Sequence, residues 1–244
     1  MKTLSTQELN ALRAISTPTV SNAIESFNVR PKNEGFMSGE IICIFPDMGA
    51  MVAYACTAVM MASWPDKKRE EPLDFKMWEH ILQTPAPRVA VIQDIDQPPC
   101  IGSLWGDVNA NMHKALGCVG AVTNGGVRDL DEVHELGFHF FAAQVIPSHA
   151  YDHLVDVGNP MKVGGLVVNP GDLIHADKHG VVVIPHEIAS EVAEAARKIE
   201  EGERELTNLC KSPDFTVEKL KDGVKKLWGC GALMPGHTAM AQAA

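Results

Sequence analysis

Two carboxylates and one guanidinium could do chemistry together in this chain if folding brings them to one place: Asp107, Arg128 and Asp129. Asp107 stands in Gly106-Asp107-Val108-Asn109, and twenty residues separate it from Arg128-Asp129 at the end of the run Gly120 to Asp129. A hard divalent cation is held by one or two carboxylates and keeps several waters, which suits Asp107 and Asp129. A guanidinium beside it offers a rigid fork of donors to a carboxylate or an enolate oxygen. Gly125-Gly126 permits positive φ and close backbone approach, as a turn that presents N–H groups to an anion requires. An Arg-Asp pair at a helix start also serves as an N-terminal charge and a surface ion pair, so the residues alone leave both roles open.

Such a site needs a scaffold that joins two turns across a helix and a strand. From residue 74 the pattern alternates: a helix near 74–83, a strand over 88–94, a helix near 107–116, a strand over 119–123, a helix from about 129 and a strand over 138–143. Strands alternating with helices imply βαβ units and an α/β fold, in which carboxyl-end turns converge on one crevice. Asp107 and Arg128-Asp129 are thereby expected to face each other.

Upstream, residues 6–27 read as two short helices broken at Thr17-Pro18, with Ser16 or Thr17 capping the second. Ile41 to Phe45 and Met51 to Val59 are apolar runs suited to buried strands, separated by Pro46-Asp47-Met48-Gly49. Downstream, Gly165 to Asn169 and Val181 to Pro185 are expected to pair as late strands, with turns at Pro170-Gly171-Asp172 and Asp177-Lys178-His179-Gly180. A long amphipathic helix is expected over 186–209, and a short one over 216–227 before a Gly-, Met- and Ala-rich tail. The catalytic domain is assigned to 1–209, and 210–244 to a helical extension packed on it or on a neighbouring subunit.

The 31 acidic residues outnumber the 21 basic ones, and the short run Lys67-Lys68-Arg69 is read as a solvated loop, so nucleic acid is not an expected partner. Six cysteines, Cys43, Cys56, Cys100, Cys118, Cys210 and Cys230, form no CxxC pair, which favours reduced thiols over a disulfide scaffold or structural zinc. The opening residues carry no apolar leader and no later run is long enough for a membrane helix. A cytoplasmic protein without a membrane partner is the expectation.

Asp, twenty residues, then Arg-Asp resembles the signature of the RraA-like class II pyruvate aldolases, and Asp107 to Arg128-Asp129 matches it without a gap. Gly120 to Asp129 is similar to that family's Gly-x-Val-x-Asp-Gly-x-x-Arg-Asp, with Asn124 where the family often has Asp. Val168 to Asp172 and Ala176 to Pro185 resemble its Val-x-Pro-Gly-Asp and Ala-Asp-x-x-Gly-Val-Val-Val-x-Pro blocks, and Ser16 to Ala23 its opening helix. The segment between Pro65 and Pro72 and the chain beyond 210 are poorly matched by the family core.

The resemblance implies a three-layer swivelling β/β/α domain with N-terminal helices and a C-terminal helical extension, assembled as a homotrimer or homohexamer. It implies Mg²⁺ or Mn²⁺ held directly by Asp129 and through water by Asp107. Arg128 would bind the 2-oxo group of a small 2-oxo acid, and the backbone amides of Val108 and Asn109 its carboxylate. In some members a glutamate of an adjacent subunit completes the water shell; Glu200, Glu201, Glu203 and Glu205 all lie in the corresponding region. The implied activity is a lyase that cleaves a 4-hydroxy-2-oxo acid, such as 4-hydroxy-4-methyl-2-oxoglutarate, to release pyruvate, and that also decarboxylates oxaloacetate. The rival within the family is a non-catalytic RraA-type protein that binds and regulates a ribonuclease.

Other chemistry-bearing residues receive plainer readings. His149 and His153 stand four apart, a spacing that serves two metal ligands on one helix face or an ordinary surface or interface pair. His175 and His179 flank a turn and are read as structural. Met48, Met51, Met60 and Met61 read as core filling, Cys56 and Cys118 as inert small hydrophobes, and Gly164-Gly165 as a turn.

Overall fold

Two serines start the chain's first helices. In the computed structural model, which describes residues 3–67 and 70–228, Ser5 and Glu8 form a reciprocal capping box at the start of α1 (Thr6–Arg13). Ser16 caps α2 (Thr17–Ser26) by accepting the Thr19 N–H. The break therefore falls just before Thr17-Pro18, and the proline occupies the first turn, where its missing N–H costs nothing.

The elements that follow are β1 (Ile42–Cys43), β2 (Met51–Met61), α3 (Leu73–Gln83), β3 (Arg88–Asp94), α4 (Asp107–Ala115), β4 (Cys118–Thr123), β5 (Gly126–Val127), α5 (Leu130–Leu136) and β6 (His139–Ala142). Then come β7 (Gln144–Val145), β8 (His153–Val157), β9 (Met161–Val163), β10 (Leu166–Val168), β11 (Leu173–Asp177), β12 (Gly180–Ile184), α6 (Val192–Lys211) and α7 (Val217–Trp228). The described residues up to Ala193 form one compact unit and those from Glu194 a second.

Strand order in the main sheet is β1-β6-β4-β3-β2-β11-β12. The β2–β3, β3–β4 and β4–β6 pairs are parallel, as the βαβ reading requires. The long β2 shares its other edge between β11 at residues 51–54 and β8 at residues 58–61, with an irregularity between Val59 and Met60. Side chains alternate across the sheet, as period-two geometry dictates. Cys56, Ala58, Ala90, Ile92 and Ala121 face a core closed by Met77, Ile81, Ala110 and Val133 of α3, α4 and α5. Ala53, Ala55, Val89, Val91 and Val122 face a second core closed by Met161, Val163 and Val168 of the β9–β10 hairpin. Helices, sheet and hairpin make the three β/β/α layers. Because both faces of the central strands are covered, their sequences read as continuous apolar runs.

Several expected boundaries move. Only Ile42–Cys43 of the 41–45 run is a strand, because Pro46 opens a 3-10 turn directly after it. The two late runs do not pair with each other: β10 pairs with β9 around the Gly164-Gly165 turn, while β12 pairs with β11. Both glycines have positive φ, which a two-residue turn of this kind needs. β11 escaped notice because His175 and Asp177 interrupt its apolar pattern, although all five of its residues are buried. The long helix begins at Val192 rather than 186, since residues 186–191 form successive turns. Met51 and Met60 are buried in the core, and Met48 packs against it. Cys43, Cys56, Cys100, Cys118 and Cys210 are free thiols; Cys230 and the Gly-, Met- and Ala-rich tail lie outside the described residues. Among the described residues no helix is long and apolar enough to cross a membrane.

α2 is tied to the β11–β12 hairpin by a buried polar cluster. His175 Nε2 lies 3.0 Å from the Leu12 carbonyl and Nδ1 3.0 Å from Thr17 Oγ1. The carbonyl can only accept, so Nε2 carries the proton, and burial lowers the pKa of His175 and keeps it neutral. Asp177 accepts the Thr17 N–H at 3.0 Å and the His179 N–H at 2.8 Å. Burial works against the charged form of Asp177, but these donors outweigh it and hold the carboxyl below its ordinary value. A depressed folded pKa stabilises the fold above the ordinary aspartate value of about 3.9, and that contribution is lost as pH falls through the folded value. Asp177→Asn should therefore cost about 1.5–3 kcal/mol at pH 7, with the gap to the parent closing in acid. Urea unfolding of both proteins at pH 7 and pH 3 checks this.

Candidate active site

The turn that carries Arg128-Asp129 is built on the carboxyl ends of β3 and β4. Asn124 anchors it: its Oδ1 accepts the Asp94 N–H and its Nδ2 donates to the Asp94 carbonyl, both at 2.8 Å. One side chain thus reproduces a strand partner at the end of β3, which an aspartate could not do because it has no donor. Below it, the Asp94 carboxyl accepts the N–H groups of Cys100 at 2.7 Å and Asp96 at 2.9 Å, and burial raises its pKa. Asp96 in turn accepts from Ala62 N and Ser63 N. These two acids hold loop backbone and stand behind the site.

A second strip, Ser103 to Gly106, lies beside β5. Trp105 bridges to Val127 in parallel register, and Arg128 N–H donates to the Trp105 carbonyl at 3.0 Å. The Ser103 hydroxyl sits 2.8 Å from both the Trp105 and Gly126 carbonyls and accepts the Trp105 N–H. β7 pairs with β5 on its other edge. The Trp105 ring is buried against His113, Phe138 and Phe140.

This clamp brings the start of α4 to Arg128-Asp129. Asp107 N–H donates to Asp129 Oδ2 at 3.0 Å, and Arg128 Nε stands 3.9 Å from the same oxygen. Gly106 leaves room for this carboxylate, since a Cβ would come within 2.4 Å of Asp129 Oδ2 and 3.1 Å of Arg128 Nε and force the side chain to shift. Asp129 is held in the left-handed region at φ 54, ψ 49, a conformation a non-glycine residue adopts at a cost of about 1–3 kcal/mol. Arg128 Nε is buried without a hydrogen-bond partner.

The expected site residues are not equally engaged. Asp107 contributes its backbone N–H, while its carboxylate accepts from Asn111 Nδ2 at 2.7 Å. Val108, 71% exposed, and Asn109 lie in the first turn of α4, where N–H groups lack intrahelical acceptors; the first such bond runs from Ala110 N to Gly106 O. Asn109 Nδ2 is used on the Leu104 carbonyl. Glu200, Glu201, Glu203 and Glu205 all lie in the second unit, where Glu201 pairs with Arg197 and Glu205 with Lys226 at 2.6 Å.

Arg128, Asp129, Gly106, Val108 and Asn109 line a cavity of about 420 Å³. Its remaining wall contains residues that sequence reasoning did not assign to the site: Asp74 from the start of α3, and His149, Asp152 and His153 from the turn into β8. The two histidines are not on a helix, which removes the helical-face reading. Burial raises the pKa of Asp152, opposed by its neighbours His149 and Arg128. No local pattern joins residue 152 to residue 128. Among the described residues no cluster of three or more His, Cys, Asp or Glu forms a closed metal cage; a magnesium-type ion with one protein carboxylate and several waters does not need one.

The RraA-like family model (Aldolase/RraA) matches residues 17–183. The chain is 34% identical over 113 residues to an uncharacterized protein of Methanocaldococcus jannaschii, covering 43% of this chain and 50% of that one. It is 33% identical over 100 residues to a putative 4-hydroxy-4-methyl-2-oxoglutarate aldolase of Halalkalibacterium halodurans, covering 41% and 48% respectively. The matched regions thus span about half the length of these curated relatives. The crystal structure of an uncharacterized protein from Pseudomonas syringae pv. tomato superposes with a TM-score of 0.70 at 25% identity, covering 91% of this chain and 95% of that one.

Asn124→Asp should destabilise this chain by about 1–3 kcal/mol, because the Asp94 carbonyl loses its donor. Equilibrium urea unfolding measures the loss; an unchanged midpoint would show that the anchor is dispensable.

Proposed function

The chain belongs to the RraA-like (Aldolase/RraA) family, and we propose that it is a divalent-metal-dependent lyase. It would cleave the C–C bond of a 4-hydroxy-2-oxo acid to release pyruvate, and would also decarboxylate oxaloacetate. The observation that carries this reading is that Arg128 and Asp129 line one open cavity together with Val108 and Asn109 of the first turn of α4.

Both reactions leave negative charge on the 2-oxo oxygen of the pyruvate fragment, and catalysis requires that charge to be held more tightly than the ground-state carbonyl. Arg128 donates to that oxygen. The first-turn N–H groups of Val108 and Asn109, at the positive end of α4, take the substrate carboxylate. Asp129 fits a cation of the Mg²⁺ or Mn²⁺ type: its Oδ2 is fixed by the Asp107 N–H, it lines the cavity, and Gly106 leaves the room. Asp107 would act on the cation through water. When bound, the cation supplies Lewis-acid polarisation of the 2-oxo acid.

Chelation should abolish pyruvate formation from 4-hydroxy-4-methyl-2-oxoglutarate and from oxaloacetate, and Mg²⁺ or Mn²⁺ should restore it. Arg128→Lys keeps the charge but loses the fork and should raise the barrier by about 2.7–4 kcal/mol, the loss typical of a removed oxyanion donor. A coupled pyruvate assay reads both, and undiminished turnover in Asp129→Ala would refute the metal assignment. Gly106→Ala should lower kcat on both substrates while the protein stays folded by circular dichroism, since its Cβ displaces the Asp129 carboxylate.

A further inference from the structure

On the lyase reading, Arg128 and the amides of Val108 and Asn109 take the end of the substrate that becomes pyruvate. Whatever C4 carries must then lie against the remaining cavity wall, which Asp74, His149, Asp152 and His153 supply. The charge of that wall limits what C4 can carry. Among the described residues that line the cavity, Arg128 is the only lysine or arginine, and it is committed to the 2-oxo group. Both imidazoles stand beside carboxylates: His149 Nδ1 is 3.3 Å from Asp152 Oδ1, and His153 Nε2 is 3.7 Å from Asp66 Oδ1. A protonated ring at either place is matched by its own carboxylate, and a neutral ring leaves that carboxylate uncovered. Neither state leaves positive charge over for the substrate. Even with a divalent cation on Asp129, the positive charge at most matches the carboxyls of the cavity and the substrate's own 1-carboxylate. A second carboxylate, on C4, would arrive uncompensated. Such repulsion acts over several ångströms and does not depend on the aim of any one side chain.

We propose that this cavity selects 4-hydroxy-2-oxo acids whose C4 substituent is uncharged and hydroxylated, by class the 3-deoxy-2-oxo sugar acids, over those with a second carboxylate there. Asp74 and Asp152 are the specificity-determining residues; this rests on the lyase reading above. Ionised carboxylates only accept hydrogen bonds, so a hydroxyl can donate to them where a carboxylate cannot. Breaking C3–C4 turns such an acid into pyruvate and a hydroxyaldehyde: the 4-hydroxyl becomes the new carbonyl and its hydrogen is replaced on C3, so no co-reactant is needed. 4-Hydroxy-4-methyl-2-oxoglutarate, which carries a carboxylate on C4, is on this account a substrate that is turned over but disfavoured.

Three five-carbon acids that differ only at C5 make the test: 4,5-dihydroxy-2-oxopentanoate, 4-hydroxy-2-oxopentanoate and 4-hydroxy-2-oxoglutarate. With Mg²⁺ or Mn²⁺ present, kcat/KM for pyruvate release should fall in that order, the glutarate standing about 10-fold or more below the dihydroxy acid. Asp74→Asn and Asp152→Asn should each narrow that gap about 3-fold or more, a ratio between substrates on one protein that a general loss of folding would not move. 2-Oxopentanoate and 2-oxoglutarate lack the 4-hydroxyl and cannot be cleaved, so calorimetry should show the first binding more tightly without any turnover. A glutarate cleaved as well as the dihydroxy acid, a dihydroxy acid no better than the methyl one, or a ratio that neither variant moves would overturn the proposal. Pyruvate from oxaloacetate but from none of the three acids would overturn it as well. Pyruvate from none of the three and none from oxaloacetate would instead bring down the lyase reading itself.

Discussion

The hydrogen bond from the Arg128 N–H to the Trp105 carbonyl joins two pieces of chain that neither α4 nor β4 could bring together alone. Around it, Ser103 fixes the strip that precedes α4, β5 fixes the strip that precedes α5, and the buried Trp105 ring prevents either from sliding. Two residues of parallel pairing are a weak element by themselves. They persist because β7 covers one edge of β5 and a buried aromatic cluster supports the Trp105 strip. The Asp107 N–H, the Asp129 carboxylate and the Arg128 guanidinium inherit their relative placement from that pairing. A site built on backbone registry keeps its geometry even though the Arg128 and Asp129 side chains are partly exposed.

Much of the scaffold is legible in the sequence, for a physical reason. β2, β3 and β4 are covered on both faces, so their residues form unbroken apolar runs, and the intervening helices each present one apolar face. The same logic fails where polar side chains are buried with partners: β11 carries His175 and Asp177 inward, satisfied by Leu12, Thr17 and His179, and its pattern looks like a turn. It also fails for β5 and β7, which are too short to have a period.

The site was legible as a motif and illegible as a cavity. Arg128 and Asp129 fall together because they are adjacent, and Asp107 arrives through the start of α4, although with its N–H rather than its carboxylate toward Asp129. Asn124, noticed as a departure from the family pattern, turns out to hold the end of β3 with both ends of its amide. The wall formed by Asp74, His149 and Asp152 depends on contacts between distant segments, and no local spacing announces such contacts.

Charge balance within the cavity bears on what it can bind. Three carboxyl groups, Asp74, Asp129 and Asp152, share it with one guanidinium, and burial already raises the pKa of Asp152 despite Arg128 and His149. A 2-oxo acid would add at least one more negative charge. Like charges brought into a partly dry cavity repel strongly unless a cation intervenes. Arg128 alone cannot offset three carboxyls and a substrate anion, whereas a divalent ion on Asp129 would cancel two of those negative charges. On the proposed reading, the acidic wall that opposes a free anion would favour one that arrives with a divalent cation.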